Sequence, residues 1–219
     1  KTSVDLYQLL KPCQSLFKLS KMKQPDLENF VGIHNRKYCD GGQCIRLYKT
    51  FMKKKDPEAA NIVMGHNEED LLGLGTIFSL LAYKKLYDGE YHPKQCVILE
   101  QELKIVIELS TAVPVNVSCG NSDFYLSVNG YEARMLVHLK EGKLRQYYRN
   151  YKDYEFIPGE DTAMPKSITR YMDKSLKIAT TPQTCYTWFN CDEDFLNNEK
   201  KQMQYLTHTL PFFLDNLNK

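Results

Sequence analysis

Apolar positions recur at helical spacing from the start of the chain to about residue 90, and at the two-residue spacing of strands beyond it. Val4-Asp5-Leu6 has the pattern of a strand end leading into a helix that reaches about Phe17. A second helix is expected over 25–31, with Asp26 and Glu28 favouring its positive N-terminal end and Gly32 stopping it. A third covers 43–54, with Cys44, Ile45, Leu47, Tyr48, Phe51 and Met52 as its apolar stripe. Asp56-Pro57 then supplies an N-cap followed by proline at the first helical position. The helix it starts runs to about Tyr87, with a break near Gly65. In its later half, Leu71, Leu72, Leu74, Ile77, Phe78, Leu80 and Leu81 are dense enough to predict burial on more than one side.

The period changes at Tyr87-Asp88-Gly89-Glu90-Tyr91-His92-Pro93, where Gly and Pro break the helix. Two domains are therefore expected, over 1–90 and 94–219. The second opens with a strand in which Leu103, Ile105, Ile107 and Leu109 face a core and Lys104, Val106 and Glu108 alternate with them. Asn129-Gly130 predicts a type I′ hairpin turn between strands over 123–128 and 131–139, and Glu141-Gly142-Lys143 a further turn into a strand over 144–148. A short helix over 165–172, strands near 176–179 and 185–188, and a helical tail over 200–217 interrupted at Pro211 complete the pattern. The fold class expected is α+β, a helical part followed by a β-rich antiparallel accessory domain.

Composition narrows the function classes. With 219 residues the chain has room for two domains of about 100 residues each. Hydrophobic content of 42% with 26% charged residues is that of a soluble globular protein. No apolar run approaches the roughly 20 residues that a membrane helix needs, so no membrane partner is expected. Lys1 opens no basic and apolar leader, so no secretion signal is expected either. A net charge of +2 is too small to imply a polyanion partner, and local patches must carry that case. Seven scattered cysteines without a CxxC pair point to free thiols in a reducing cytoplasm rather than a zinc site or disulfide framework.

The segment Gly65-His66-Asn67-Glu68-Glu69-Asp70-Leu71-Leu72 carries the strongest chemical signal. Residues four apart on a helix share a face, so His66 and Asp70 point the same way. A carboxylate that holds a divalent ion beside an imidazole that takes a proton from water suits metal-assisted hydrolysis. The pattern alone equally describes a helix N-terminus with solvated acids and a surface histidine. Asp5 has a comparable alternative as a helix N-cap.

Further motifs lie upstream. Val4-Asp5-Leu6, then Asp26-Leu27-Glu28-Asn29-Phe30-Val31-Gly32-Ile33, then Asp40-Gly41-Gly42 with Leu47-Tyr48 and Phe51-Met52, precede His66 and Asp70 in order. In that order and spacing, residues 1–88 resemble the YprB-like ribonuclease H-like domain, a branch of the DEDD exonuclease superfamily whose last motif is a Tyr or His followed by an Asp on the final long helix. The resemblance implies that Asp70 is the fourth metal-binding acid, His66 the general base and Asn67 a supporting neighbour. It also implies a two-metal site for Mg²⁺ or Mn²⁺ and a single-stranded end of DNA or RNA as substrate. The earlier motifs of that family, Asp-x-Glu on a strand and a later Phe-Asp, should precede Val4. The expectation is therefore a C-terminal portion that is inactive by itself; an open frame upstream of the Lys1 codon that encodes the missing acids would establish this reading, and stop codons there would favour a non-catalytic one. The apolar faces over 6–10 and 71–81, which the family covers with a central sheet, are expected to lack part of their cover.

In the second domain, Leu144-Arg145-Gln146-Tyr147-Tyr148-Arg149-Asn150-Tyr151-Lys152-Asp153-Tyr154 interleaves tyrosines with cations. Such a composition suits stacking of bases beside phosphates, with Arg145, Tyr147, Arg149 and Lys152 as nucleic-acid contacts. It also suits a strand with one aromatic face buried. Asn150 to Pro158, with Glu160-Asp161, Lys166-Ser167, Tyr171-Met172-Asp173-Lys174 and Thr184-Cys185-Tyr186, resembles the region that follows this nuclease-like domain in clostridial proteins. Glu160, Asp161 and Asp173 are read as caps and surface pairs. Three functions are in competition: a metal-dependent 3′–5′ exonuclease-like protein, a non-catalytic nucleic-acid-binding or protein-interaction module that uses the β-rich domain, and a mainly structural β domain with a helical lead-in.

Overall fold

The computed structural model describes residues 4–34, 36–38 and 41–217, and divides into two compact units, Lys1–Leu81 and Ala82–Lys219. The division falls ahead of the Gly89–Pro93 break. The last helix before that break lies almost wholly in the second unit.

The first unit is helical. Asp5 accepts a hydrogen bond from the Gln8 amide (3.1 Å) and so caps α1 (Leu6–Leu10), where a strand end was expected. A 3-10 turn joins α1 to α2 (Gln14–Phe17). Lys18 then reverses the chain in the left-handed region, with φ 56°. In α3 (Gln24–Phe30), Asp26 accepts from the Lys23 amide at 3.1 Å, which fixes the first turn. Leu10, Leu16, Phe17 and Leu27 are buried, and the Phe17 and Phe30 rings sit 4.9 Å apart. The helix α4 spans Gly41–Lys54, and the predicted Asp40 that precedes it lies outside the described residues. Asp56 caps α5 (Pro57–Ile77) as the Asp-Pro pair requires, its carboxylate accepting from the Glu58 amide at 3.0 Å.

Two expectations about α5 are corrected. The helix passes through Gly65 without a break and ends only at the 3-10 turn Phe78–Leu80, before α6 (Leu81–Asp88). Gly65 is a notch: a Cβ there would lie 2.2 Å from the Tyr38 ring, so glycine lets that ring approach the helix. Nor is the apolar run buried on several sides. Leu71 and Leu72 are 71% and 68% exposed, whereas Ile77 and Leu80 are buried. The expectation that this face lacks part of its cover agrees with those exposures.

The second unit is β-rich. Five antiparallel strands, β1 (Tyr91–Leu99), β2 (Glu102–Leu109), β3 (Val117–Gly120), β4 (Phe124–Asn129) and β5 (Glu132–His138), form a sheet in the order β1-β2-β5-β4-β3. Tyr91–Pro93, expected to be a break, begins β1. A proline fits there because β1 is an edge strand and the register shifts between Pro93 and Gln95, so no ladder donor is needed. The core face of β2 is as predicted, with Leu103, Ile105 and Ile107 fully buried, but Val106 on the face expected to be wet is buried as well. The β4–β5 loop is Gly130–Tyr131, since Asn129 already pairs with Glu132. Of these two residues Gly130 alone has positive φ (54°), which is the type II′ pattern rather than I′. Glu141 and Gly142 both have positive φ, 53° and 73°, and turn the chain into β6 (Lys143–Tyr147).

Beyond β6, a small sheet joins β7 (Tyr154–Ile157) to β8 (Thr162–Pro165), which leads into the short helix α7 (Lys166–Thr169), and to β9 (Ile178–Ala179). Strand β10 (Tyr186–Asn190) pairs antiparallel with β6. After α8 (Glu193–Leu196), α9 (Glu199–Asp215) packs on β1 and β6. It runs through Pro211, where an interruption was expected. A proline removes one backbone donor, and the buried Leu210, Phe213 and Leu214 around it supply the packing that keeps the helix intact.

Candidate functional site

His66 and Asp70 stand one turn apart on the same face of α5, the imidazole Nε2 3.6 Å from Asp70 Oδ2. That separation is an ion-pair distance, longer than a hydrogen bond. Asn67 is exposed and bonds neither of them. Asn67 follows His66 directly and so turns away from it, and although it stands three residues from Asp70 no hydrogen bond joins the two. Asp5, at the N-cap of α1, likewise takes its own local bond and no place in this cluster.

Arg36, a residue the sequence pattern did not single out, completes the group. Its Nη1 donates to Asp70 Oδ1 at 2.6 Å, while Nε and Nη2 donate to the two oxygens of Glu28, each at 2.7 Å. The fork geometry of guanidinium matches a carboxylate in this bidentate way. Glu28, on α3, is only 2% exposed. Gln24 Nε2 donates both to Glu28 Oε1 (2.8 Å) and to the Asp70 carbonyl (2.7 Å), which ties α3 to α5 directly. Burial pushes the Glu28 carboxyl upward, but hydrogen bonds from Arg36 and Gln24, with the guanidinium charge, outweigh burial and hold it below the ordinary glutamate range. The same carboxylates raise Arg36 and keep it charged.

The segment that carries Arg36 lies along α5 as a strap with three attachments. Tyr38 fills the Gly65 notch, the Lys37 and Tyr38 amides donate to Glu69 at 2.8 and 3.3 Å, and Arg36 holds Asp70. Gly73 supplies a second notch. A Cβ there would sit 1.9 Å from Glu28 Oε1. The local sequence thus builds a charge relay Glu28–Arg36–Asp70–His66 whose members come from α3, the strap and α5.

These residues do not fit a two-metal centre. Such a centre needs several carboxylates around two dications about 3.5 to 4 Å apart. Here one oxygen of Asp70 already meets a guanidinium, the cation that a metal would have to displace. Among the described residues no group of three or more His, Cys, Asp or Glu side chains converges as a metal site. Arg36 occupies one oxygen of Asp70, and His66 lies within ion-pair distance of the other.

The cations and tyrosines predicted to contact nucleic acid are not brought together on one surface. Tyr147 is 4% exposed and stacks on Phe212 with centroids 3.7 Å apart, so its ring belongs to the core and cannot take a base. Arg145 lies over the Tyr186 and Trp188 rings. Arg149 donates to Tyr87 and Asp215 at 2.6 and 3.3 Å, and Lys152 is exposed. The period-2 pattern defines two faces of a strand but not which one meets a helix, and here α9 covers the Tyr147 side. Asp173 caps its own turn through the Ser175 amide, as expected, whereas Asp161 accepts from the hydroxyl of Tyr186, 25 residues along the chain, instead of making a cap or a surface pair.

Among the described residues no helix is long and apolar enough to cross a membrane. No curated protein and no solved structure matches the chain. Residues 1–82 match the family model described as RNase H superfamily, a span that contains α1 to α5 with His66 and Asp70. The protein is thus an α+β chain in which a helical part, similar to the RNase H superfamily over residues 1–82, is followed by a β-rich region.

Proposed function

We propose that residues 1–82 are the C-terminal part of a DEDD-type 3′–5′ exonuclease-like domain of the YprB-like branch, acting on single-stranded ends of DNA or RNA. The observation that carries this reading is the coincidence of the RNase H superfamily match with a His66–Asp70 pair on one face of its longest helix. His66 is the proton-accepting group and Asp70 the acid of the final motif. The four motifs quoted from the sequence support the finer branch. By itself the chain of residues 1–219 does not hydrolyse phosphodiesters, because its one site carboxylate is held by Arg36. The thiols of Cys96, Cys185 and Cys191 are free, which fits a reducing bacterial cytoplasm.

Fluorescence anisotropy with short labelled single strands tests the nucleic-acid part of this reading. Binding is expected at low salt, with an affinity that falls steeply as salt rises, since each phosphate contact releases counterions. Absence of binding at low salt overturns it. A protein-interaction role would then stand in its place, favoured by the exposed Ile45, Tyr48 and Met52 of α4 and Leu71 and Leu72 of α5.

A further inference from the structure

Arg145 on β6 and Trp188 on β10 are direct cross-strand partners. The guanidinium lies 4.6 Å from the Trp188 ring centroid and 4.7 Å from that of Tyr186. Both rings are anchored. Tyr186 donates its hydroxyl to Asp161 Oδ1 at 2.5 Å, and Trp188 donates its indole N–H to the Asp161 carbonyl at 2.8 Å. Cation–π contact uses the aromatic faces and fixes the plane of the guanidinium, while its N–H donors remain directed along that plane. Arg145 Nε is buried without a hydrogen-bond partner, and Arg145 enters no salt bridge among the described residues, its one side-chain hydrogen bond being shared with the Tyr147 hydroxyl. An arginine desolvated on rings and not matched by a carboxylate has donors left for a ligand.

A cavity of ≈ 190 Å³ opens beside it, lined by Arg145, Lys140, His138, Asp123, Tyr147 and Trp188. Lys140 approaches the same indole, its Nζ 5.5 Å from the ring centroid. Two cations, Arg145 and Lys140, and one acid, Asp123, line the pocket, which leaves an excess of positive charge. The volume is below the roughly 300 Å³ at which drug-sized ligand sites begin, so the occupant is small. Guanidinium and ammonium around one cavity offer several donors in different directions, which suits an oxyanion with three acceptor oxygens, such as a phosphoryl group, better than a planar carboxylate; Asp123 offsets one of the two positive charges and leaves the other.

We propose that this pocket binds the phosphoryl group of a phosphate monoester, with Arg145 as the forked donor and Lys140 as the second cation. The site lies wholly within residues 82–219 and stands independently of the nuclease reading. Trp188 is the chain's single tryptophan, so its fluorescence reports the pocket directly. Inorganic phosphate and ribose 5-phosphate, titrated at constant ionic strength, are expected to change Trp188 emission saturably, with acetate much weaker. Arg145→Met should weaken phosphate binding about tenfold or more. Lys140→Ala, at an exposed position, should weaken it about threefold or more, and decides the matter if circular dichroism shows Arg145→Met to be unfolded. The proposal is overturned by an equal response to sodium chloride, by acetate binding as tightly as phosphate, or by unchanged phosphate affinity in the folded variants.

Discussion

Arg36→Ala is expected to destabilise the first unit by about 3 kcal/mol, at the low end of the range for breaking a buried ion pair, because Arg36 keeps some exposure. The loss comes from Glu28, which stays buried with its cation removed. The pH dependence should reverse as well. In the natural chain the Glu28 carboxyl is held below its ordinary value, so its contribution is present above the ordinary glutamate range and fades as pH falls through the lower, folded-state value. Without Arg36 burial raises that carboxyl against the single remaining hydrogen bond from Gln24, so the variant should gain stability relative to the natural chain as pH falls toward 4.5 and lose it as pH rises. Adding Glu28→Gln to Arg36→Ala should restore much of the loss, since an amide needs no counter-ion. Thermal or denaturant unfolding at several pH values measures all three. An Arg36→Ala change within about 0.5 kcal/mol of neutral, the range of ordinary surface substitutions, would show that the network contributes little.

Gly73→Ala is expected to cost about 2 kcal/mol, although alanine is normally the better helix former by close to 1 kcal/mol. The methyl group would sit 1.9 Å from Glu28 Oε1, and that oxygen cannot swing aside cheaply because Arg36 and Gln24 both donate to it. Gly75 lies two residues further along the same helix, where an added Cβ meets nothing within 4 Å. Gly75→Ala should therefore stabilise by about 0.5 to 1 kcal/mol. The opposite signs of two identical substitutions on one helix isolate the notch from helix propensity. Equal signs would mean that Glu28 relaxes freely and that the relay is not rigid.

Much of this site was legible in the sequence because it depends on near neighbours. Asp56-Pro57 announces the start of α5, and the four-residue spacing of His66 and Asp70 places them on one face. Arg36 was not legible. It lies in an irregular segment 34 residues before Asp70, and periodicity says nothing about which loop returns to a helix. A usable signal was Glu28 beside Leu27 on a helix face that turns inward, since a buried acid requires a cation. Gly65 was misread for a related reason: a glycine inside a helical pattern looks like a weakness until the side chain that occupies its missing methyl is known. In the second unit, alternation located the core face of β2 from Leu103 to Leu109. It did not assign Tyr147, whose burial follows from the distant helix α9.

The most direct test is incubation of purified chain 1–219 with end-labelled single-stranded DNA and RNA in Mg²⁺ or Mn²⁺. If Arg36 occupies the Asp70 carboxylate and too few acids converge, the substrates remain intact and Asp70→Ala changes nothing. Metal-dependent shortening of the strands that Asp70→Ala abolishes would contradict the account.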